Sequence, residues 1–473
     1  MKLILFAPEL FLLLGCLALF FLSTGRVSGR LARATALGIA LGAVLVTLLC
    51  LRQEGFLFYE AYKIDFFSQF LKLFIVMGLA IVLLFATELK GIGEEVRPEY
   101  YLFLLLSTMG LVMLVSSVEL LTLFIALELS SYALYLLVPL RDDRAGLRLQ
   151  MEAAIKYILF GVVATGIMLF GMSYLFGLTG TTYFVTLIPA MQGMMDSPVA
   201  LVAILMFMGG LFFKLAVFPF HFWVPDVYQG ASNETTAFIA SVPKIAAVAV
   251  LIRIASLATP DGQALVTMLA VLAVCSMLYG NLGALVQTDI KRMLGFSGIA
   301  HAGYVLLGLV TLQESGYAIS LYYIIGYLMM TLAGFLVICK VSRAGENLLI
   351  EDLGGLHRRA PLLALTLAVS MFAMAGLPPF VGFMGKFMLL TGAYKAGHLA
   401  LVIIAAINTA ISIYYYLSVV RVAYTGNGDD RPAVAVDGMT RLVSVALVVI
   451  IIALGLAPNQ LVQLATEAVR AIL

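Results

Sequence analysis

The sequence predicts an all-α polytopic membrane protein of about fourteen transmembrane helices. Two observations carry that reading. The 473 residues are 63% hydrophobic and 11% charged, with a mean hydropathy of +1.08, which no soluble globular domain shows. Apolar runs of about 20 residues recur along the whole length. A third observation, the alternation of basic loops, sets the orientation.

The first run, 3–22, is too long for a signal-peptide core, and no small-residue cleavage site follows it. It is read as a retained helix. With spans 32–51 and 68–88 it forms an N-terminal segment, 1–99. Spans 100–118, 120–140, 152–177, 198–220 and 235–257 follow in a second segment, 100–257. Spans 264–286, 294–312, 317–340, 362–390 and 399–424 make a third, 264–424. Span 441–465 closes the chain within 441–473. Connections are mostly short, and none is large enough for a soluble domain.

Seventeen of the 28 lysines and arginines lie in the loops after odd-numbered spans, among them Arg26, Arg30, Arg33, Arg141 and Arg144. Seven, including Lys63, Lys72 and Arg253, are assigned to the opposite face. The positive-inside rule puts the basic face in the cytoplasm and both termini on the far side.

Lys156, Lys214, Lys244 and Lys386 remain, all inside spans. A charge at mid-bilayer costs about 3 kcal/mol on insertion scales. Of the 26 acidic residues, Glu128 alone falls near the middle of a span. Three of the lysines have a proline nearby. Pro219 lacks an N–H, which leaves the Leu215 carbonyl beside Lys214 without its helical donor. Pro243 precedes Lys244 and frees the Ile239 carbonyl. Pro378 and Pro379 free those of Met374 and Ala375, with Lys386 two turns beyond on nearly the same face. Carbonyls freed in hydrocarbon need polar side chains or a protein-lined aqueous cavity. Broken helices with mid-depth charges are a transporter pattern. A packing kink with a structural lysine is the bland alternative. Lys156, four residues after Glu152, also suits a snorkelling role.

"AIKYILFG" (154–161) resembles "SLYYIIGY" (320–327), in spans 6 and 11, and the broken spans 7 and 12 each carry a lysine. Five spans separate each pair, so helices 4–8 and 9–13 read as two inverted repeats. His301 in span 10 suits either a proton relay or a hydrogen-bonded core role. His221 beside Trp223 reads first as an interfacial anchor. Four scattered cysteines, with no CxxC, no Cys/His pair at ligand spacing and no Gly-rich phosphate loop, offer no cofactor site in this chain.

"FFKLAVFPFHFWVPDVYQGA", "IKRMLGFSGIAHAGY", "AMAGLPPFVGFMGKF" and "ALELSSYALYLL" resemble, in order and spacing, the antiporter-like membrane subunits of respiratory complex I. The resemblance covers nearly the whole chain. It implies fourteen helices, inverted five-helix repeats and broken helices 7 and 12. It also implies a proton pathway through Glu128, Lys156, Lys214, Lys244 and Lys386, driven by quinone reduction elsewhere in the complex. The lysine of "GFMGKF" and a chain stopping about eight residues after the last span set it apart from two other members. One of those has a glutamate at that lysine, and the other continues into a lateral helix. "GASNETTAF" (230–238), with Asn233 and Glu234, departs from the family's usual proline-containing stretch.

The resemblance further implies membrane-subunit partners, including neighbouring antiporter-like chains, within a bacterial inner membrane and without nucleic acid. FMN, Fe–S clusters and a quinone would belong to the assembled complex. Two rivals stand beside this reading. One is a subunit of a multi-subunit cation/proton antiporter or of a related membrane-bound oxidoreductase or hydrogenase, built on the same helices. The other is a spacer that pumps nothing, which would have no need of four mid-membrane lysines.

Overall fold

The computed structural model describes all residues except 1, 26, 143–145, 147, 193, 195–196, 256–262, 427–430 and 432. Arg26 and Arg144, counted above for orientation, therefore lie outside the described residues. Helices α1 (Ala7–Ser23), α2 (Gly29–Leu49) and α3 (Phe66–Phe85) form the N-terminal group, with a hairpin of β1 (Gly55–Leu57) and β2 (Tyr62–Ile64) between the last two. Next come α4 (Arg97–Ser116), α5 (Leu120–Leu137), α6 (Leu149–Thr179), the short α7 (Phe184–Gln192), α8 (Pro198–Leu215), α9 (Val224–Gly230) and α10 (Asn233–Ala255). The second set is α11 (Gln263–Leu285), α12 (Ile290–Val310), α13 (Glu314–Val341), α14 (Leu356–Arg359), α15 (Pro361–Ala375), α16 (Val381–Lys395) and α17 (Leu399–Thr425). The chain ends with α18 (Gly438–Leu456) and α19 (Asn459–Arg470).

Thirteen helices among the described residues are long and apolar enough to cross a membrane. The pair α15 and α16 together supply the length of a fourteenth. The last predicted span, 441–465, is corrected: α18 stops at Leu456, and Pro458 separates it from the amphipathic α19. Polar residues of α19 reach distant elements, Arg470 pairing with Glu314 at 2.7 Å and Glu467 with Arg52 at 3.3 Å.

The two helix sets share local geometry. A methyl group on Gly110 of α4 would meet the Ser130 backbone nitrogen at 2.5 Å, and one on Gly280 of α11 would meet that of Ala300 at the same distance. Each close crossing of α4 with α5 and of α11 with α12 therefore requires glycine. Glu119 caps α5 and Asp289 caps α12 through their carboxylates. Beside each cap, two backbone hydrogen bonds tie the chain to the loop after the next long helix: Leu120 N to Thr182 O and Phe184 N to Val118 O, then Ile290 N to Leu348 O and Ile350 N to Thr288 O. Five spans separate the matching features, so the two sets run in opposite directions.

The helix breaks match as well. α8 ends at Ala216 (φ 71°), with Val217 N donating to Phe212 O at 2.9 Å. α15 ends at Gly376 (φ 83°), with Leu377 N donating to Phe372 O at 3.0 Å. These are left-handed helix caps with the six-to-one bond that stops a helix cleanly. The Phe218–Pro219 and Pro378–Pro379 peptides that follow are both cis. Pro243 is a correction. It does not break its helix, because α10 is continuous from Asn233 to Ala255 with the proline inside. Every residue of α10 is buried, and packing against α3, α8 and α13 holds it through the missing hydrogen bond.

Lys72 is not a loop-side cation but lies in the second turn of α3, fully buried, 2.5 Å from buried Glu9. The Tyr62 hydroxyl donates to the same carboxylate at 2.6 Å. Nearby, Asp65 caps α3 and receives Arg253 at 3.0 Å on both oxygens. Burial alone would raise the Asp65 carboxyl, but Arg253, the Ser68 N–H and Lys63 outweigh it and hold the group below its ordinary 3.8. Its contribution to stability is therefore complete above that value and lost as pH falls through the lowered one. Asp65→Asn is expected to cost about 3–5 kcal/mol near pH 7, as for one partner of a buried pair. Thermal unfolding in detergent should show this as a lower midpoint, with the gap to the parent closing in acid. An unchanged midpoint at pH 7 would refute it.

Candidate functional site

The three most enclosed long helices, α10, α12 and α13, carry Lys244, His301 and the tyrosines Tyr304, Tyr323 and Tyr327. Lys214 occupies the last turn of α8, just before its break, and is buried. Its Nζ donates to Ser131 Oγ at 3.1 Å, and Ser131 donates to the Leu127 carbonyl at 2.8 Å. Ser131 is one residue short of a full turn beyond Glu128, so Lys214 approaches the face of α5 that carries the carboxylate. Glu128 accepts from Thr165 Oγ1 of α6 at 3.0 Å. The structure thus brings Lys214 to the helix that carries Glu128 without a direct ion pair among the described residues.

Lys156 is on the second turn of α6 and is partly exposed. It pairs with Glu152 at 2.7 Å and with Asp226 of α9 at 2.6 Å. Asp226 also receives Arg292 of α12 at 2.6 Å. Burial alone would raise the Asp226 carboxyl, but Lys156 and Arg292 hold it below its ordinary value. The carboxylate therefore links the two helix sets. It lies seven residues past Pro219, as Lys386 lies seven past Pro379. Lys214 and Lys386 are consequently on opposite sides of their breaks, a register that lysine count alone does not reveal.

Lys244 donates to the Gly298 carbonyl and to the Tyr327 hydroxyl, each at 3.2 Å. The Tyr228 hydroxyl is buried and unpartnered. A methyl group on Gly298 would lie 2.8 Å from Lys244 Nζ, 3.1 Å from Tyr327 OH and 3.7 Å from Tyr228 OH, so the three share one small space. His301 hydrogen-bonds Tyr323 through Nδ1 at 2.6 Å and Tyr416 through Nε2 at 3.0 Å. Tyr416 in turn hydrogen-bonds Ser297. The His301 ring is 4.9 Å from that of Tyr327 and 6.3 Å from that of Tyr304. Lys386 Nζ lies 4.7 Å from the Tyr304 ring centre. Lys244, Tyr327, His301, Tyr304 and Lys386 therefore follow one another from α10 into the second helix set.

Lys386 Nζ donates to the Met374 and Ala375 carbonyls at 3.0 and 3.3 Å, the two that Pro378 and Pro379 deprive of helical donors. His221 is corrected as an interfacial anchor. It is fully buried with neither ring nitrogen hydrogen-bonded, and it packs against Phe218 and Tyr279. Trp223 is buried too, its Nε1 donating to the Phe213 carbonyl at 3.1 Å beside the α8 break. Asp226 and the five tyrosines were not singled out from sequence. The "WVPD" that follows the proline break was the one available signal for Asp226.

Residues 117–412 match the family model described as NADH:quinone oxidoreductase/Mrp antiporter, transmembrane. The chain is 52% identical to "NADH-quinone oxidoreductase subunit N 2" of Opitutus terrae, over 96% of this chain and 95% of that one. Among solved structures, a chain of respiratory complex I from Thermus thermophilus is 31% identical, with TM-score 0.84 over 97% of this chain and 99% of that one. A chain of the Mrp complex from Dietzia sp. shares the fold at 21% identity, with TM-score 0.88 over 99% of this chain and 97% of that one. The chain belongs to the family of antiporter-like membrane subunits common to NADH:quinone oxidoreductase and Mrp antiporters.

Proposed function

We propose that this chain is a proton-translocating membrane subunit of an NADH–quinone oxidoreductase, with no redox chemistry of its own. The observation that carries the reading is the row of buried bases, two of them beside helix breaks, above all Lys386 held on the two carbonyls released by Pro378 and Pro379. A buried ammonium is disfavoured by desolvation and favoured by a nearby carboxylate. In this reading, approach of Lys214 to Glu128 holds the proton, and separation releases it toward Lys244. Trp223 donates to the carbonyl of Phe213, next to Lys214, Tyr228 shares the space above Gly298 with Lys244, and the two ring centres are 6.4 Å apart. His301 and its tyrosines carry the proton to Lys386, which delivers it to the far side. Lys156, paired with Asp226, sits at the cytoplasmic mouth. Quinone reduction elsewhere shifts the populations of these coupled sites.

The termini then face away from the cytoplasm of a bacterial inner membrane. Residues 100–257 and 264–424 act as the two half-pathways, between the N-terminal helices of 1–99 and the closing segment 441–473. FMN, Fe–S clusters and quinone reside in partner subunits. Cys16, Cys50 and Cys339 are buried apart and Cys275 is half-buried. No group of three His, Cys, Asp or Glu suited to a metal occurs among the described residues. The purified subunit is therefore expected to show neither flavin absorbance nor stoichiometric iron, and either one would contradict the assignment.

The experiment that tests the function is purification of the intact assembly and identification of its subunits. Fe–S and flavin subunits are expected. A set of small hydrophobic antiporter subunits would favour the rival built on the same fold.

A further inference from the structure

Glu234 is the second residue of α10, on the basic face of the molecule. It is 3% exposed; its own backbone N–H and the Ser232 hydroxyl meet its carboxylate, yet Oε2 has no hydrogen-bond partner. A buried carboxylate with a purely structural task is normally fully paired. Glu234 lines a surface-open cavity of about 760 Å³ together with Glu88, Lys90, Cys339, Lys340 and Arg343. Lys90, Tyr100, Arg141, Lys291 and Cys339 are its electrostatic neighbours from the surrounding elements. The cations among them compensate a carboxylate left behind after each proton departs.

From Glu234, α10 leads inward. Thr235, Thr236 and Ser241 are fully buried hydroxyls on the same helix. Lys244 follows ten residues on, about 15 Å along the axis. Thr236 Oγ1 donates to the Tyr228 carbonyl at 3.1 Å, and the Tyr228 hydroxyl shares the space above Gly298 with Lys244. Polar groups thus mark both ends of the route and its middle.

We infer that Glu234 is a proton-collecting carboxylate at the base of a cytoplasmic pocket and that it supplies Lys244. A hydronium ion in the pocket gives its proton to the carboxylate and leaves as water. The carboxyl then passes the proton to the hydroxyls of α10 and Tyr228, each accepting one proton as it releases another. The neutral Lys244 amine takes the last, and the carboxylate is restored. This inference rests on the proton-translocation reading above.

The test uses the whole complex in vesicles, with protons translocated per quinone reduced as the readout. Glu234→Gln is expected to lower that ratio about tenfold, and Glu234→Asp to recover at least half of it. Ala435→Trp, at the exposed pocket mouth and away from the pathway, is expected to lower the ratio by obstruction. It decides the matter if Glu234→Gln does not assemble. A parental ratio in Glu234→Gln, or in Ala435→Trp where only that variant assembles, overturns the inference. Lys214→Met, run in parallel, separates the two claims. If it too pumps normally, the translocation reading itself fails. If it is inactive while Glu234→Gln is normal, only the role of Glu234 falls.

Discussion

Glu128→Gln and Lys214→Met are each expected to lower proton translocation per quinone reduced by about tenfold or more. The double variant should be no worse than the worse single one. Groups that act as one unit are not additive, whereas independent contributions would multiply. The substitutions are chosen to spare the packing. A glutamine still offers an oxygen to Thr165 Oγ1, and methionine keeps most of the lysine stem's length in a buried site. Lys214 rests on Ser131, on the same helix as Glu128, so a small shift of α5 against the end of α8 would change the separation of the two charges. Vesicles containing the assembled complex give the ratio directly. Full pumping in either single variant, with assembly intact, would remove the pair from the mechanism.

Much of this arrangement was legible in the sequence because its causes are local. Proline at 219, 378 and 379 deletes donors at fixed offsets, and those offsets located the carbonyls that Lys386 now satisfies. Apolar run length gave the spans. Pro243 shows the limit of the same rule. A missing donor predicts a break only where neighbours leave room for one, and α10 is enclosed along its whole length. The Glu9–Lys72 pair was hidden for another reason. Both residues stand near span ends and read as interfacial, and only the tertiary fold beside the hairpin, whose Tyr62 meets the same Glu9 carboxylate, brings them together. The two tyrosines that hydrogen-bond His301 come from α13 and α17, 22 and 115 positions away. No local pattern distinguishes them from the many other tyrosines of an apolar chain. Asp226 was likewise invisible as a partner, since its role depends on α6 and α12 meeting at one carboxylate.

Lys386→Arg is expected to assemble normally and to pump at about a tenth of the parental ratio or less. Lys386 has two separable tasks. One is structural: its ammonium satisfies the Met374 and Ala375 carbonyls at the end of α15. Unpaired, each would be costly in a water-poor interior. The other is the proposed proton station beside Tyr304. Arginine can perform the first task, since its guanidinium offers several N–H donors and a permanent charge, but its very high pKa forbids the second. Lys386→Gln separates charge from titration in the opposite sense, because its amide keeps two donors for the carbonyls and carries no charge. If the residue is a proton station, both variants fold and neither pumps. If it supplies only a fixed charge, arginine pumps near normally while glutamine does not. If it is only a cap for the α15 terminus, both pump. Three outcomes thus map onto three physical roles, with proton translocation in reconstituted vesicles, normalised to the quinone-reductase rate, as the single measurement. The space around the side chain makes the arginine test demanding but feasible. Gly376 lies against the lysine stem, where even an added methyl would stand 3.0 Å from Cδ. The bulkier head must therefore extend toward the Tyr304 ring, whose face favours a guanidinium.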